Sequence, residues 1–343
     1  MTGNRMTGDR MTSPTHAIGL VAIGRNEGER LKQCIDSIVG RVATAIYVDS
    51  ASTDDSVAYA RSQGIEVVEL DMSLPFTAAR ARNAGYQRLR ELNPEVRFVQ
   101  FIDGDCAVVA GWLERAMESL ASRDEAVVVW GRRMERYPEA SIYNRLCDNE
   151  WRYDFPYGEV AMCGGDALMR VEAFEAVGGF NEALIAGEEP ELCYRLRQNG
   201  GKILRIDADM TLHDANMTHF SQWWKRAVRS GHAYAEGAWL GRHDAEKRWA
   251  SRTRRIWLWG ALIPTLAIVP APFTYGLSLV LLGLYPFSAY RQARHMVRHA
   301  APWRHAMVSG GFSAISKFPA LYGLLKFHYG RLRGSRSAII EYK

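Results

Sequence analysis

The chain has 343 residues, of which 48% are hydrophobic and 24% are charged, a balance that is typical of folded globular proteins and excludes a disordered chain. The formal net charge of +5 is too small to indicate a nucleic-acid partner by itself, and we predict none. The five cysteines, an odd number without a Cys-x-x-Cys pair, favour reduced thiols in a cytoplasmic setting over a disulfide framework.

Residues 1–16 are polar and lack the apolar segment of a signal peptide, so they predict a disordered leader. From Ala17 onward, strand-like apolar segments alternate with helix-like segments. The predicted strands are AIGLVAI, TAIYVD, IEVVEL, FVQFID and AVVVWG, and the predicted helices are GERLKQCIDSIV, TDDSVAYARSQ, TAARARNAGYQRLREL and residues 112–120. This alternation indicates βαβ units in a mainly parallel, doubly wound α/β sheet.

Polar side chains follow three of these strands, at the point where each strand ends. They are Asn26 and Glu27 after the first strand, Asp49 at the end of the second, and Asp103 and Asp105 at the end of the fourth. Ligands of parallel α/β sheets bind outside the carboxyl ends of the strands. We therefore expect these side chains to share one site, which a nucleotide-type ligand would fit.

Two common nucleotide-binding loops are absent from the sequence. The first strand–helix junction reads IGRNEGER and lacks the G-x-G-x-x-G fingerprint, and no G-x-x-x-x-G-K-[ST] occurs. A diphosphate would therefore need another partner. Asp103 and Asp105 are neighbouring like charges, so either one is protonated or a cation binds them; Mg²⁺ or Mn²⁺ there would also bind phosphate oxygens. The Asp-Gly-Asp segment could also be a simple strand-ending turn.

An ordered series of motifs resembles the family 2 glycosyltransferases, which have the GT-A nucleotide-sugar fold. The resemblance covers residues 17–230 and rests on six segments: VAIGRNEGERLKQCIDSI, IYVDSASTDDSV, ARNAGYQ, FIDGDCAV, GGDALMRVEAFEAVGGFNEALIAGEEPELCYRLRQNGGKI and DMTLHD. FIDGDCAV is similar to the family's Asp-x-Asp element. The resemblance implies a GT-A catalytic domain over residues 17–240 and an inverting, metal-dependent sugar transfer.

On the donor side, the resemblance implies that Asn26 and Glu27 form the first turn of the nucleotide-sugar site. Asp49 would contact the nucleotide base, and Arg82 and Asp103 would lie at the diphosphate. The implied metal ligands are Asp103, Asp105 and His213. Plainer roles stay open, because Asp49 could cap a helix, Arg82 could be a solvated charge, and a lone histidine is more often structural than a ligand.

On the acceptor side, the resemblance implies that Glu189 is the general base, that Glu188 orients it, and that Gly165 and Asp166 form the floor of the acceptor site. The two glutamates precede a helix that we predict to begin at Pro190. Acidic residues at such a position can also serve only to complement the helix dipole. The Gly-Asp pair could be only a tight turn.

The chain departs from the family pattern at three places. Arg25 stands where an aromatic ring near the nucleotide base is usual, so the identity of the nucleotide stays open. The expected base, Glu189, is a glutamate where an aspartate is usual, and is one methylene longer. The Gln-x-x-Arg-Trp motif of processive synthases is absent and only echoed by QWWKRAVRSG, which favours transfer of a single sugar.

The C-terminal third predicts a hydrophobic helical membrane region. Residues 256–290 carry no charged side chain, and a central Pro-Ala-Pro sequence should break a helix there, so we expect a membrane helical hairpin that is re-entrant or has two short spans. A basic linker, residues 241–255, precedes the hairpin. Residues 291–343 predict an interfacial helix over 303–329 and a basic tail. The alternative is a buried helical pair within a soluble domain.

These features predict an enzyme that transfers one sugar from a nucleotide-diphosphate sugar to a hydroxyl of a lipid-linked glycan, in exopolysaccharide or lipopolysaccharide assembly. The positive-inside rule places the hairpin ends and the catalytic domain on the cytoplasmic side of a bacterial inner membrane, in contact with membrane lipids. Two alternatives stay open. One is a membrane-anchored nucleotide-sugar-binding protein without catalysis, and the other is a nucleotide-dependent oxidoreductase, which the missing glycine fingerprint disfavours.

Overall fold

The computed structural model describes residues 17–153, 155–241 and 248–334. The leader predicted for residues 1–16 lies outside the described residues. So do the start of the predicted basic linker and the end of the basic tail, residues 242–247 and 335–343.

The described chain forms one nine-stranded sheet. Its strands are β1 (Ile18–Gly24), β2 (Thr44–Asp49), β3 (Glu66–Glu69), β4 (Phe98–Asp103), β5 (Cys106–Val108), β6 (Ala126–Glu135), β7 (Gly158–Val160), β8 (Ala167–Arg170) and β9 (Lys202–His213). The order across the sheet is β3-β2-β1-β4-β8-β6-β9-β5, and β7 pairs with β9. All five predicted strands are present.

The first four predicted strands form the parallel part of the sheet. β1 lies between β2 and β4, and β2 pairs with β3, all in parallel register. β6 and β9 are also parallel, whereas β8, β5 and β7 pair in antiparallel fashion. The predicted α/β sheet is therefore confirmed, and its C-terminal half adds antiparallel pairs to it.

Eight helices accompany the sheet within the described residues up to position 241. They are α1 (Glu29–Asp36), α2 (Ser56–Ser62), α3 (Ala78–Leu92), α4 (Trp112–Ala121), α5 (Ile142–Tyr153), α6 (Val171–Ala176), α7 (Glu188–Gln198) and α8 (Phe220–Leu240). The first four match the helices predicted between the strands. In β1 and β4, every residue except the last is buried, as expected for central strands covered on both faces.

Helix α3 brings a charged side chain into the core beside the sheet. Thr77 caps it, because its Oγ1 accepts a hydrogen bond from the backbone N–H of Arg80 at 3.1 Å. Gly85 allows close approach to the sheet, since a Cβ there would lie 2.5 Å from the side chain of Val21. Arg82 lies one turn earlier on the same buried face, so its side chain points towards the carboxyl end of the strands.

The C-terminal third is helical, and residues 256–290 within it form a hairpin of two helical arms. Its elements are α9 (Arg248–Trp257), a π-helical turn (Leu258–Leu262), α10 (Ile263–Ile268), a 3₁₀ segment (Leu277–Gly283), α11 (Leu284–Arg298), α12 (Trp303–Ile315) and α13 (Lys317–Leu332). The first arm ends before the Pro-Ala-Pro sequence, as predicted. The second arm packs back on the first, and Ser278 Oγ donates to the carbonyl of Ala267 at 2.7 Å.

Two predictions for this region are wrong. Residues 248–255, predicted as part of a linker, lie in helix α9. Residues 303–329, predicted as one interfacial helix, form two helices that meet at Ser316. Helix α13 packs closely on α8, because a Cβ on Gly323 would collide with the carbonyl of Val228. The last helix is therefore part of the folded body.

The hairpin exposes a large apolar surface at its turn. We name residues 268–280 the apolar tip; Phe273, Tyr275, Leu277 and Val280 within it are 83%, 102%, 74% and 72% exposed. No helix among the described residues combines the length and the apolar character needed to cross a bilayer.

Candidate active site

The polar residues after β1 and β2 meet at the edge of the sheet, as predicted. Asn26 joins the two loops: its backbone N–H donates to Ser52 Oγ at 2.8 Å, and its Oδ1 accepts from the backbone N–H of Thr53 at 2.7 Å. Asp49 is buried at the end of β2, where its carboxylate accepts from the hydroxyl of Tyr47 at 3.1 Å and from the backbone N–H of Ser52 at 2.8 Å. These bonds order the edge that we predicted to receive a nucleotide.

Glu27 lies between this edge and the Asp-x-Asp loop. Its carboxylate pairs with Arg30 at 2.9 Å. A Cβ on Gly104, the central residue of Asp-Gly-Asp, would lie 3.1 Å from the carbonyl of Ile23 and 3.5 Å from Cγ of Glu27. The loop after β4 therefore packs closely on the loop after β1.

Arg82 joins the donor-side and acceptor-side carboxylates. One guanidinium nitrogen lies 2.9 Å from Asp103 Oδ1, and the other lies 2.7 Å from Glu188 Oε1 and 3.3 Å from Glu189 Oε1. The Arg82 side chain is only 3% exposed, whereas that of Asp103 is 30% exposed. Burial acts to lower the pKa of Arg82, but the negative charges of Glu189, Asp103 and Glu188 raise it.

Arg82 therefore differs from its predicted role. The sequence predicted a contact with a diphosphate, but the guanidinium is buried and its terminal nitrogens are already bound by three carboxylates. In this arrangement Arg82 positions the carboxylates.

The two aspartates of the Asp-x-Asp element have different partners. We predicted that a shared cation relieves their repulsion, but Asp103 is bound by two arginines, Arg82 at 2.9 Å and Arg133 at 3.1 Å. Asp105 is buried and points away towards His213, with Oδ2 3.3 Å from Nε2 of the ring. Asp105 and His213 are therefore the predicted metal ligands that the structure brings together.

The group around Asp105 has the ligand types of a divalent-metal site. Ligand atoms of Asp105, Cys106 and His213 all lie within 4.8 Å of one another. Burial lowers the pKa of His213, so its ring is neutral and can donate a nitrogen lone pair. Burial raises the pKa of Cys106 far above its usual value, so the thiol stays protonated and is a poor ligand.

Glu135 supports His213 from the other side of the ring. Its side chain is fully buried and its Oε2 lies 3.4 Å from His213 Nδ1, leaving Nε2 towards Asp105. The same oxygen accepts from the backbone N–H of Ala215 at 3.0 Å, and the other accepts from Asn144 Nδ2 at 3.1 Å. This arrangement matches the outer carboxylate that commonly orients a metal-binding histidine.

Asp166 does not reach the acceptor site. It is fully buried, and its oxygens accept from the backbone N–H of Asp103 at 3.1 Å, from Thr211 Oγ1 at 2.6 Å and from Arg133 at 2.7 and 3.0 Å. The predicted contact with a sugar hydroxyl is therefore wrong, because four donors already occupy the carboxylate. Asp166 instead supports Asp103 by accepting the hydrogen bond from its backbone N–H.

Gly165, which we predicted to form the floor of the acceptor site, lies beside Arg82, Asp103 and Glu189. A Cβ on it would lie 2.7 Å from Arg82 Nη2 and 3.2 Å from both Asp103 Oδ2 and Glu189 Oε1. The neighbouring Gly164 has open space at the same position. Only a residue without a side chain leaves the space between Asp103 and Glu189 open.

Helix α7 presents the two glutamates in its first turn. It begins at Glu188, two residues before the predicted start at Pro190, and follows Gly187, whose φ of 85° needs a glycine. Burial, followed by the charge of Glu188, raises the pKa of Glu189 from its ordinary value of 4.5 to about 7. Glu189 nevertheless keeps 17% of its side chain exposed, while Glu188 keeps 6%.

Sequence reasoning missed Arg133 and Glu135. Both lie in β6, whose predicted segment AVVVWG ended at Gly131, although the strand continues to Glu135. The rule that identified Asp49 and Asp103 would have identified them, because they too follow an apolar run at the carboxyl end of a strand.

Comparison with known proteins identifies two matching families. Residues 21–178 match the family described as glycosyl transferase family 2. Residues 145–220 match the family described as the N-terminal domain of galactosyltransferase. Together these segments include the edge of the sheet, the Asp-x-Asp loop, Gly165 and the start of α7.

Two curated relatives match part of the chain. The succinoglycan biosynthesis protein ExoA of Rhizobium meliloti (strain 1021) is 28% identical over 216 residues, which cover 59% of this chain and 64% of that protein. A pre-mycofactocin glycosyltransferase of Mycobacterium tuberculosis (strain ATCC 25618 / H37Rv) is 26% identical over 231 residues, covering 64% of this chain and 47% of that protein. The chain thus spans just under two thirds of the first relative and about half of the second.

One solved structure resembles nearly the whole chain. The mannosyltransferase PcManGT from Pyrobaculum calidifontis, in complex with GDP-Man and Mn²⁺, has a TM-score of 0.62 and 16% identity, and the match covers 93% of this chain and 89% of that one. At this identity the likeness shows that the two proteins share a fold. It extends over the C-terminal helices as well as the sheet.

Proposed function

We propose that the chain, whose residues 21–178 match glycosyl transferase family 2, transfers a single sugar from a nucleotide-diphosphate sugar to an acceptor hydroxyl, with inversion at the anomeric carbon. The observation that carries the proposal is the arrangement of Asp103, Arg82 and Glu189. One buried guanidinium holds a donor-side and an acceptor-side carboxylate, at 2.9 and 3.3 Å, on either side of the space left by Gly165.

Glu189 has the properties that a general base needs. A pKa of about 7 keeps a large fraction ionised near neutral pH while the carboxylate remains basic enough to take a proton. Glu189 accepts the proton of the acceptor hydroxyl while that oxygen attacks the anomeric carbon from the face opposite the leaving diphosphate. One displacement inverts the configuration. Glu188, ion-paired with Arg82, positions the start of α7.

The nucleotide part of the donor would lie over the sheet edge formed by Asn26, Glu27 and Asp49. Hydrogen bonds between the loops after β1 and β2 support this placement, because they order the edge before a ligand arrives. Of the three carboxylates that contact Arg82, that of Asp103 is the most exposed, and it would face the sugar-diphosphate.

A divalent cation, Mg²⁺ or Mn²⁺, fits the neighbouring group of Asp105 and His213. A buried carboxylate and a neutral imidazole whose other nitrogen is held by Glu135 are a suitable donor set for such an ion. When bound, the cation would neutralise the charge that develops on the leaving diphosphate.

The apolar tip supports attachment to a membrane. Within the part of the chain that the structure describes, no packing removes its large apolar side chains from water, and exposed apolar surface of this kind is typical of interaction sites. We place the tip in one leaflet of a bilayer, with Arg254 and Arg255 on one arm and Arg291 and Arg294 on the other near anionic headgroups. The catalytic domain would then lie on the cytoplasmic face of a bacterial inner membrane.

A lipid-linked glycan is the acceptor that such an attachment favours. An enzyme anchored at the bilayer surface meets a lipid-linked substrate at high effective concentration. The likeness to a succinoglycan biosynthesis protein supports exopolysaccharide assembly as the setting, with lipopolysaccharide assembly as the related possibility.

A donor screen tests the proposed activity. The full chain is incubated with a panel of nucleotide sugars and bacterial lipid extract, with Mn²⁺, with Mg²⁺ or with excess chelator. Metal-dependent labelling of a lipid by one donor is the expected result. Full activity in excess chelator would contradict the metal assignment. Binding of a nucleotide sugar without any transfer or hydrolysis would instead indicate a non-catalytic binding protein.

A further inference from the structure

Three cationic side chains lie close enough to interact electrostatically where the hairpin leaves the folded body. We name Arg252, Arg255 and Lys317 the cationic neck. The first two lie one turn apart on α9 and are exposed, and Lys317 is the first residue of α13. The π-helical turn that follows α9 meets the start of α13 closely, because a Cβ on Gly260 would lie 2.8 Å from the carbonyl oxygen of Lys317.

The cationic neck has excess positive charge. Burial, followed by the charges of Arg255 and Arg252, lowers the pKa of Lys317 to about 8, and no acidic group of the described residues contributes to that shift. Among the ion pairs of the described residues, none includes a member of the neck. Like charges held together without an acidic partner cost free energy, which an anionic ligand would offset.

Aromatic side chains lie beside the cations, on the side of the apolar tip. The rings of Tyr285 and Phe318 stack with centroids 5.7 Å apart, and Trp259 packs edge-on against Tyr285 at 5.5 Å. The Tyr285 hydroxyl donates to the carbonyl of Trp259. Trp and Tyr rings, here Trp259 and Tyr285, are typical of the headgroup level of a bilayer.

Helix α9 runs from the loop that precedes the proposed base, Glu189, to the cationic neck. Its Trp249 packs on the loop that presents α7, since a Cβ on Gly187 would lie 3.4 Å from the indole ring. Arg252 follows one turn later and Arg255 two turns later, about 9 Å along the axis from Trp249 at 1.5 Å per residue. The order along this face is therefore the loop before Glu188, the cations, the aromatic rings and then the apolar tip.

We propose that the cationic neck binds the phosphate of a lipid whose chain lies along the hairpin. This inference rests on the proposed membrane attachment and specifies its chemistry. The order of features on α9 matches a lipid-linked sugar, with the sugar near the base, the phosphate at the cations and the chain at the tip. A phospholipid headgroup also carries an anionic phosphate, so the shared ligand is a lipid phosphate.

Vesicle binding of the full chain tests the proposal. The vesicles contain phosphatidylcholine alone, phosphatidylcholine with phosphatidylglycerol, or phosphatidylcholine with polyprenyl diphosphate. Lys317→Met should lower affinity for one or both phosphate-enriched vesicles about fivefold and leave binding to phosphatidylcholine unchanged. The matched control is Lys326→Met on the same helix, whose exposed side chain lies about 13 Å further along α13 and should change little.

Each outcome has a defined meaning. If Lys317→Met loses affinity only for vesicles with polyprenyl diphosphate, the neck binds a lipid-linked acceptor. If it loses affinity for the vesicles with phosphatidylglycerol as well, the neck binds lipid phosphates in general. Equal losses for the Lys317 and Lys326 variants would indicate diffuse charge attraction and overturn the site. If the wild-type protein binds all three kinds of vesicle equally, the proposed lipid-phosphate site is wrong, but the proposed membrane attachment is supported. If it binds none of them, both proposals are wrong. Arg255→Met, at an exposed position, repeats the test should Lys317→Met not fold.

Discussion

Nη1 of Arg82 lies 2.7 Å from Oε1 of Glu188, in the buried space where α3 meets the start of α7. The other terminal nitrogen of Arg82 holds Asp103 at 2.9 Å. A single side chain from the third helix therefore sets the separation between the Asp-x-Asp loop and the helix that carries the proposed base. Its own geometry depends on α3 packing closely on the sheet at Gly85.

Loss of Arg82 should destabilise the fold as well as the site. Arg82→Met would leave Glu188 buried without its cation, which typically costs 3–5 kcal/mol of unfolding free energy. Urea unfolding should therefore show a clear fall in the midpoint. Arg88→Met removes a half-buried, ion-paired arginine from the same helix and should leave the midpoint nearly unchanged. Equal effects of the two variants would contradict the positioning role of Arg82.

Alanine substitutions at the adjacent Gly164 and Gly165 test whether the space between Asp103 and Glu189 must stay open. In Gly165→Ala the new methyl group would lie 2.7 Å from Arg82 and 3.2 Å from Glu189, so the base must move. Relief of these contacts shifts Glu189 by a few tenths of an ångström. Since a displacement of about 1 Å can cost on the order of a hundredfold in turnover, we expect a loss of about tenfold. Gly164→Ala meets open space and should retain wild-type turnover. A Gly165→Ala enzyme with wild-type turnover would place the reaction elsewhere.

Glu135 should affect metal affinity without touching the metal. Glu135→Gln keeps the shape of the side chain but weakens its hold on the Nδ1 hydrogen of His213. Loss of such an outer partner typically costs 10–100-fold in metal affinity. Titration of the protein with Mn²⁺ alone, followed by electron paramagnetic resonance, measures this directly. Glu125→Gln, at an exposed position before β6, is the control; unchanged Mn²⁺ affinity in Glu135→Gln would remove His213 from the site.

The apolar tip should govern attachment to phosphatidylcholine vesicles. Phe273→Ser removes a ring that is 83% exposed and should lower vesicle affinity about tenfold, since burial of such a ring contributes about 1.5–3 kcal/mol. Leu74→Ser removes another exposed apolar side chain, remote in sequence, and should have little effect. Truncation after Arg255 is a poorer test, because α13 packs on α8 and its removal would expose a buried face. Wild-type vesicle binding by Phe273→Ser would contradict the assignment.

The edge of the sheet was predictable because its residues follow a local rule. Asp49 and Asp103 each end a run of buried apolar residues, so the sequence alone places them at the carboxyl ends of neighbouring strands. The hairpin was predictable for a similar reason, since the two prolines at its turn interrupt an uncharged run.

The partners of these residues were not predictable, because they depend on contacts between distant segments. Asp166 looks like an exposed turn residue until Arg133 and Thr211, brought in by β6 and β9, are placed around it. The length of β6 likewise depends on its pairing with β9, which continues to Glu135 opposite His213. The division of residues 303–329 at Ser316, in contrast, has a local signal, because Pro319 in the first turn of α13 interrupts the helical hydrogen bonds of a continuous helix.

Turnover as a function of pH, compared between wild type and Glu189→Gln, tests the central claim most directly. A base with a pKa of about 7 is active when deprotonated, so wild-type turnover should fall about tenfold per pH unit below 7. Glu189→Gln should turn over at least about a hundredfold more slowly, without that inflection and with unchanged donor affinity, while Glu191→Gln on the same helix behaves as wild type. A Glu189→Gln enzyme that keeps wild-type turnover and its inflection near pH 7 would contradict the account.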